Sequence, residues 1–494
     1  MLDDEAELRR LGYAQQLRRR MSGFGNFALS FSVISILTGA VSLYGYGFAH
    51  GGPIEMTLGW PLVTLMTLLV ASSLAELASA YPTAGALYHW ASILGGPRVG
   101  WWTAWFNLVG QVAVLAGVDY ALAEFLAQML GLGPAGEVLG LDVRRLEVLG
   151  LYAALLASHG ILNHVGVRVV TVLNELSAWY HLAGTAVLVG ALLWLAPLRP
   201  ASFLLRHFVA AEQGRTVPYA FWYAALVGLL QAQWTFTGYD ASAHASEETV
   251  GAREAAPRGI VNSVIVSGVA GFVMLLAITL AVGDPARATG DAGFTNVIVG
   301  ALGARLGGVM VWMVIGAMWF CGLSTVTSNS RMLFAFARDG GTPGSALLAT
   351  VSDRFRTPTY AVWACVAIAF ALAVWSRAYS VIVSISTIGL YASYAIPIWL
   401  NWRAQRRGAA ERGPWHLGRW SPWINAAAIG WIGIITVVFM LPPNQRTGYT
   451  FAALLALLAI YYLSWARTRF RGPAQLKSPA RTAIPARPNQ GSGS

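Results

Sequence analysis

The feature that most constrains this chain is a succession of long apolar runs, each long enough to cross a bilayer. A crossing helix needs about 20 mostly apolar residues. Twelve runs qualify, at 24–50, 60–80, 99–130, 146–163, 168–196, 219–249, 259–282, 304–337, 359–377, 379–402, 424–441 and 448–466. In lipid only helices and closed barrels satisfy every backbone amide and carbonyl. The runs lack the alternation of barrel strands. The expected fold class is therefore an all-α membrane protein with 12 transmembrane helices. Composition agrees: charged residues make up only 11% of the 494, against about 25% in a water-exposed domain.

Charge sets the expected orientation. The net charge is +11, which could suggest nucleic acid, but the cations flank apolar runs and form no single basic face. No nucleic-acid partner is expected; lipids are. With the N-terminus inside, inner segments hold 23 of the 33 cations and outer loops hold 9, while Arg331 lies within the eighth run. Both termini are thus expected on the cytoplasmic side of a plasma or inner membrane. Residues 1–23 read as a polar cytoplasmic segment and not as a signal peptide. Residues 467–494, rich in Pro, Arg and Ala after Arg471, read as a disordered cytoplasmic tail. Cys321 and Cys365 both sit in apolar runs and read as small buried hydrophobes.

Two runs carry a Thr-Gly pair where a plain span would prefer Leu. The first contains Ile36-Leu37-Thr38-Gly39-Ala40-Val41, the sixth Trp234-Thr235-Phe236-Thr237-Gly238-Tyr239-Asp240. They stand five helices apart, so they traverse the membrane in opposite directions. Broken helices at matching places in two halves point to an inverted repeat with a site at the midplane. The halves would be 24–196 and 219–403, with two extra helices over 424–466. The plainer reading is close helix packing at each glycine.

These residues resemble the amino acid–polyamine–organocation superfamily, and within it the amino acid/choline transporter branch. The resemblance rests on Ser30 to Gly39 in the first run, Tyr44-Gly45-Tyr46-Gly47, Gly51-Gly52-Pro53 and Ala75 to Tyr88. It continues through Phe236 to Ser242, Ser246-Glu247-Glu248, Ser328-Asn329-Ser330-Arg331 and Ala337-Arg338-Asp339-Gly340, spanning about 24–466. It implies a transporter domain of five-plus-five inverted helices with the first and sixth broken, working by alternating access as a permease for amino acids or related amines. One departure is plain. Several relatives use a lysine in the fifth helix as a proton-linked cation, whereas the only lysine here is Lys477. The fifth run offers Asn174, Glu175, Ser177 and His181 instead.

A helix broken at the midplane loses backbone partners at its new ends. The amides of Thr38, Gly39 and Ala40 would hold a carboxylate at a partially positive helix start. Carbonyls near Trp234, Phe236 and Thr237, with Gly238 at the break, would accept from an ammonium. Trp234 would close over the substrate or face its amine, and the resemblance places an aromatic gate there; Tyr239 and Trp319 are further aromatic candidates. Asp240 reads first as an N-cap for the second half of the sixth helix and second as a titrating or amine-binding group. Glu247 and Glu248 are expected to pair with loop arginines such as Arg253 or Arg258.

For coupling, the candidates are a proton at Asp240 or His181 and Na⁺ at Ser324 and Thr325, the latter by resemblance to sodium-coupled relatives. The proton is the favoured ion. The plainer reading of Ser324 and Thr325 is interhelical hydrogen bonding, and of His181 and His244 satisfied packing. No cofactor, metal site or enzyme is expected: the chain carries no G-x-S-x-G, Walker A or H-E-x-x-H motif. The alternatives are a choline, γ-aminobutyrate or polyamine carrier, or an uncoupled exchanger or facilitator.

Overall fold

The computed structural model describes residues 2–132, 137–138, 141–208, 220–375 and 379–477. The part of the expected disordered tail over 478–494 lies outside the described residues. An N-terminal helix, α1 (Leu2–Arg10), precedes the bundle. The first span is three helical pieces, α2 (Gly23–Ile34), α3 (Ile36–Ser42) and α4 (Tyr44–Gly51). There follow α5 (Trp60–Ala80), α6 (Ala86–Gly95), α7 (Pro97–Met129), α8 (Val143–Val165) and α9 (Val167–Leu195). The sixth span is again in pieces, α10 (Phe221–Gly228), α11 (Leu230–Thr235) and α12 (Ala241–His244). Then come α13 (Ala252–Leu280), α14 (Gly293–Arg338), α15 (Ser345–Leu348), α16 (Thr359–Trp375), α17 (Tyr379–Arg406), α18 (Ser421–Val438) and α19 (Gln445–Tyr461). Two short strands, β1 (Glu137–Val138) and β2 (Leu141–Asp142), pair in the α7–α8 connection.

Among the described residues, ten helical segments are long and apolar enough to cross a membrane. The other two expected spans are the broken sixth and α16, a 17-residue helix. α14 is not one straight rod: it bends at Gly303, where the backbone leaves helical values. The run expected from 304 begins just past that bend.

Burial separates an inner from an outer set of helices. Within Gly23–Ser42 the most apolar stretch is 89% buried, and within Gln445–Arg469 it is 17% buried. Apolar side chains on the outer set face outward with little protein cover, among them Trp194, Trp423, Leu457, Ile460 and Leu463. Water would not tolerate so continuous an apolar belt, whereas lipid welcomes it, and tryptophan concentrates at the two interfaces. The chain is a multi-pass membrane protein. Its inner helices are polar where they meet, which draws attention to the interruptions in the first and sixth spans.

Candidate site at two broken helices

The first interruption is at Ser35, one turn before the expected Thr-Gly pair. Ser35 adopts a left-handed backbone (φ 37°) and closes α2 with its amide on the Phe31 carbonyl. A left-handed residue other than glycine is costly unless its surroundings fix it. Here the Ser35 hydroxyl sits 2.5 Å from Thr38 Oγ1 and 2.7 Å from His181 Nε2 on α9. His181 Nδ1 lies 2.8 Å from its own-helix Ser177 carbonyl, so that nitrogen carries the hydrogen and Nε2 accepts from Ser35.

The expected amide cluster is displaced by this geometry. The amides of Thr38 and Gly39 both donate to the Ser35 carbonyl, at 2.8 and 3.0 Å. Among the described residues, no backbone acceptor meets the amides of Ile36 and Leu37, the first two of α3. Those are the free donors at this helix start. Ala40 contributes its carbonyl, which accepts from Gln231 Nε2 at 2.8 Å.

Gly39 serves the second purpose considered for it. A Cβ built there would lie 2.6 Å from Thr235 Oγ1 and 2.8 Å from Thr235 Cα. Only glycine lets α3 and α11 touch at this point. The two interruptions therefore lie against each other. The contact continues through Gly238, whose absent side chain makes room for Val33, and through Ser30 Oγ, which donates to the Tyr239 carbonyl at 2.7 Å.

The sixth span unwinds between α11 and α12. Phe236 (φ −83°, ψ 52°) ends α11, and Gly238 has φ 81°, a value that glycine adopts without strain. The neighbouring α17 holds the unwound segment. Tyr391 OH donates to the Phe236 carbonyl at 2.9 Å, Tyr394 OH donates to Asp240 Oδ1 at 2.7 Å, and the Trp234 indole N–H donates to Ser386 Oγ at 3.1 Å. The Thr237 hydroxyl donates to the Trp234 carbonyl. The Phe236 ring packs on Trp60, 4.8 Å between centroids.

Asp240 does not cap α12. Its backbone is already helical (φ −69°, ψ −10°) and its side chain makes no cap bond; a capping residue needs an extended backbone to turn its oxygen onto the helix. Its carboxylate instead accepts from Tyr394, from Asn107 Nδ2 at 3.2 Å, and faces His244 Nε2 at 3.2 Å. Gln111 joins His244 and Asn107, and His244 Nδ1 meets the Ala84 carbonyl. Buried polar groups joined in this way fix a unique arrangement.

Ser324 donates to Asn174 Oδ1 at 2.8 Å and to the Phe320 carbonyl, and Thr325 donates to the Cys321 carbonyl. Trp319 turns its indole N–H to Ser158 and its ring toward His159. No group of three or more metal-ligating side chains occurs among the described residues.

Glu247 and Glu248 take other partners than the expected loop arginines. Glu248 binds Arg331 through both its oxygens, at 3.0 and 3.1 Å, and Glu247 binds Arg338 at 2.8 and 2.9 Å. The end of the sixth span packs on the end of α14, so partners distant in sequence are nearer than Arg253, which lies by Glu7, and Arg258, which pairs with Glu254. Segment 13–21 lies over this cluster. Tyr13 OH donates to Asp339 at 2.7 Å, Arg338 stacks 3.9 Å from the Tyr13 ring, and Arg19 donates to the Ser246 and Thr249 carbonyls. Burial first, then the Asp339 charge, push the Tyr13 phenol well above its ordinary pKa, so it stays a donor.

Sequence reasoning missed Ser386, Tyr391 and Tyr394 on α17 and Asn107 and Gln111 on α7. Both sets were visible as polar residues spaced three to five apart within an apolar run.

A sequence profile described as amino acid permease matches residues 24–463. The chain is 38% identical to the amino-acid permease BAT1 of Arabidopsis thaliana, covering 95% of this chain and 96% of that one. It is 37% identical to the BAT1 homolog of Oryza sativa, with 95% of each covered. It is 25% identical to the GABA-specific permease of Saccharomyces cerevisiae, over 96% of this chain and 86% of that one. With a profile match along nearly its whole length and relatives this similar, the chain belongs to the amino acid permease family.

Proposed function

We propose that this chain carries amino acids across a cell membrane by alternating access, binding the zwitterion between the two helix breaks. The observation that supports this most is their adjacency: Gly39 against Thr235, with unpaired amides of Ile36 and Leu37 at one break and an unwound segment at the other. A partially positive helix start suits a carboxylate, and freed carbonyls suit an ammonium. On this reading Ile36 and Leu37 join Thr38, Gly39 and Ala40 in lining the carboxylate end. Trp234, Phe236, Thr237, Gly238, Tyr239 and Asp240 form the amine end. The relatives' names, which are those of permeases, favour amino acids over choline and polyamines.

The reading includes twelve crossings in two inverted sets of five plus α18 and α19, with both termini in the cytoplasm. The ion cluster of Glu247, Glu248, Arg331 and Arg338 then closes the cytoplasmic side. A second substrate reading, γ-aminobutyrate, draws support from the relative named for it; that molecule is also a zwitterion and fits the same two ends.

The test is uptake of labelled amino acids into proteoliposomes, with competition by analogues blocked at either end. Carboxyl-amidated and N-acetylated amino acids are both expected to compete poorly. Equal competition by choline or a polyamine would remove the carboxylate assignment.

A further inference from the structure

A second buried acid–imidazole pair lies beside the first break and belongs to none of the groups above. Asp119 on α7 and His159 on α8 are each 0% exposed, and Asp119 Oδ2 lies 3.0 Å from His159 Nδ1. The outward halves of both groups have no partner: neither Asp119 Oδ1 nor His159 Nε2 makes a hydrogen bond. Buried polar atoms in folded proteins are nearly always satisfied, and each exception calls for a reason. α14 admits the pair only because residue 322 is glycine; any Cβ there would run into Asp119 Oδ1 and the His159 ring.

The chemistry of the bare atoms is definite. The short Nδ1···Oδ2 contact puts the imidazole hydrogen on Nδ1, leaving Nε2 a lone pair. Oδ1 is an anionic lone pair. Two unpaired acceptors with one net negative charge call for a cation. Among the described residues, no third metal-ligating side chain joins them. A proton needs none. Placed on His159 Nε2, it turns the pair from net −1 to neutral and breaks no existing hydrogen bond.

The other titratable candidates differ on this point. His181 uses both nitrogens, on Ser177 and Ser35. Asp240 and His244 are engaged by Tyr394, Asn107, Gln111 and the Ala84 carbonyl. Protonation at either place would disturb bonds that hold the breaks together.

Position links the pair to both sides of the site. Inward, the Cys321 thiol donates to the Val33 carbonyl of α2 at 3.3 Å. The thiol lies among the hydroxyls of Ser35, Thr38 and Thr325, within electrostatic reach of Asp119. Outward along α7, Tyr120 and Glu124 line a vestibule of about 520 Å³ shared with Ser42, Arg144 and Asp291. The ionisable groups facing the pair are Cys321 on α14 and Tyr152 on α8, the latter bonded to the Ala369 carbonyl. Nearby charges are already paired, Glu124 with Arg144 and Arg331 with Glu248.

We infer that Asp119 and His159 form the proton-binding site that couples this transporter to a proton gradient. The proton enters from the vestibule, resides on His159 Nε2 while the pair is neutral, and leaves from the same atom. This rests on the transport reading above, and the experiment separates the two.

Three measurements on purified full-length protein decide it. Exchange of labelled for unlabelled amino acid at equal pH tests transport alone. Accumulation driven by an inward proton gradient, with Na⁺ absent, tests coupling. In the parent the gradient is expected to raise accumulation at least several-fold; in Asp119→Asn and His159→Gln exchange persists and that stimulation is lost. The third measurement needs no substrate. The Trp319 ring is 5.3 Å from the His159 ring, so its fluorescence, isolated by subtracting Trp319→Phe, is expected to fall as His159 protonates. It should stop doing so in His159→Gln. Exchange without gradient stimulation in the parent, stimulation retained in both variants, drive by Na⁺ alone, or Trp319 emission indifferent to pH would each overturn the inference. Absence of exchange in the parent would overturn the transport reading and with it the coupling, while the fluorescence titration would still show whether the pair takes up a proton.

Discussion

Ser35 Oγ lies 2.7 Å from His181 Nε2, so the break in the first span is pinned by a side chain from α9. The fifth run was notable for lacking a lysine; what it supplies is an imidazole that accepts from the one left-handed serine of the break. Losing that acceptor takes from the Ser35 hydroxyl the partner that ties it to α9, with Thr38 still 2.5 Å away. A buried group left short of a partner costs about 1–3 kcal/mol, which is about 5- to 150-fold in affinity if the break must re-form to bind. His181→Leu is expected to weaken amino-acid binding by that range. His181→Gln, which can still accept, should be milder. Ligand-induced shifts in melting temperature would report both; equal binding in the leucine variant would detach His181 from the site.

The contact between Gly39 and Thr235 predicts a different failure. Even a methyl group at 39 meets the backbone of Thr235, which cannot turn aside. Overpacking of this kind costs about 1–3 kcal/mol. Gly39→Ala is expected to lower the melting temperature and to depress uptake strongly, with Thr235→Ala restoring only part, since the Cα clash remains. Full activity in Gly39→Ala would show that α3 and α11 can separate without loss.

How much of this was legible beforehand follows the physics of each signal. Apolar length is local, so the run expected at 60–80 matches α5, Trp60–Ala80, while the run expected from 304 misses the stretch of α14 before its bend, which begins at Gly293. The break in the first span was misplaced onto Thr38 and Gly39. Glycine marks both close packing and unwinding, and here it does the former, while a serine held by a distant histidine does the latter. Asp240 was expected to cap because its neighbours in sequence form a helix; its true partners, Tyr394 and Asn107, come from other spans. Pairing across helices leaves no spacing along the chain. That is also why Glu248 was not matched to Arg331, or Asp119 to His159.

The pair Glu248–Arg331 makes a stability prediction. Both residues are buried, and the bond is bidentate. Removing one partner strands a buried charge, at about 3–5 kcal/mol, while replacing both is far cheaper. Glu248→Ala and Arg331→Ala are each expected to reduce the yield of folded protein sharply. Glu248→Gln combined with Arg331→Met should recover much of it. Arg331→Lys should not, because an ammonium cannot make the forked contact. Size-exclusion profiles and melting curves in detergent would check the series; additive losses in the double variant would mean the two do not act as a pair.

Asp240 provides the control for proton coupling. Its carboxylate joins the unwound sixth span to α17 through Tyr394 and to α7 through Asn107. In Asp240→Asn one oxygen still accepts from Tyr394, but the new amide faces His244 Nε2, whose lone pair already meets the Gln111 amide. The same amide then opposes the Asn107 amide, donor against donor, and such a buried mismatch costs about 1–3 kcal/mol. The variant is therefore expected to melt several degrees lower and, with the amine end altered, to bind amino acid more weakly, while the uptake that remains keeps its response to a proton gradient. Tyr394→Phe should destabilise comparably, since it strips one acceptor bond from Asp240 and leaves the Gly238 amide without its 3.3 Å partner. A variant of Asp240 that still exchanges amino acids but ignores the gradient would move the coupling site from Asp119 and His159 to the sixth span.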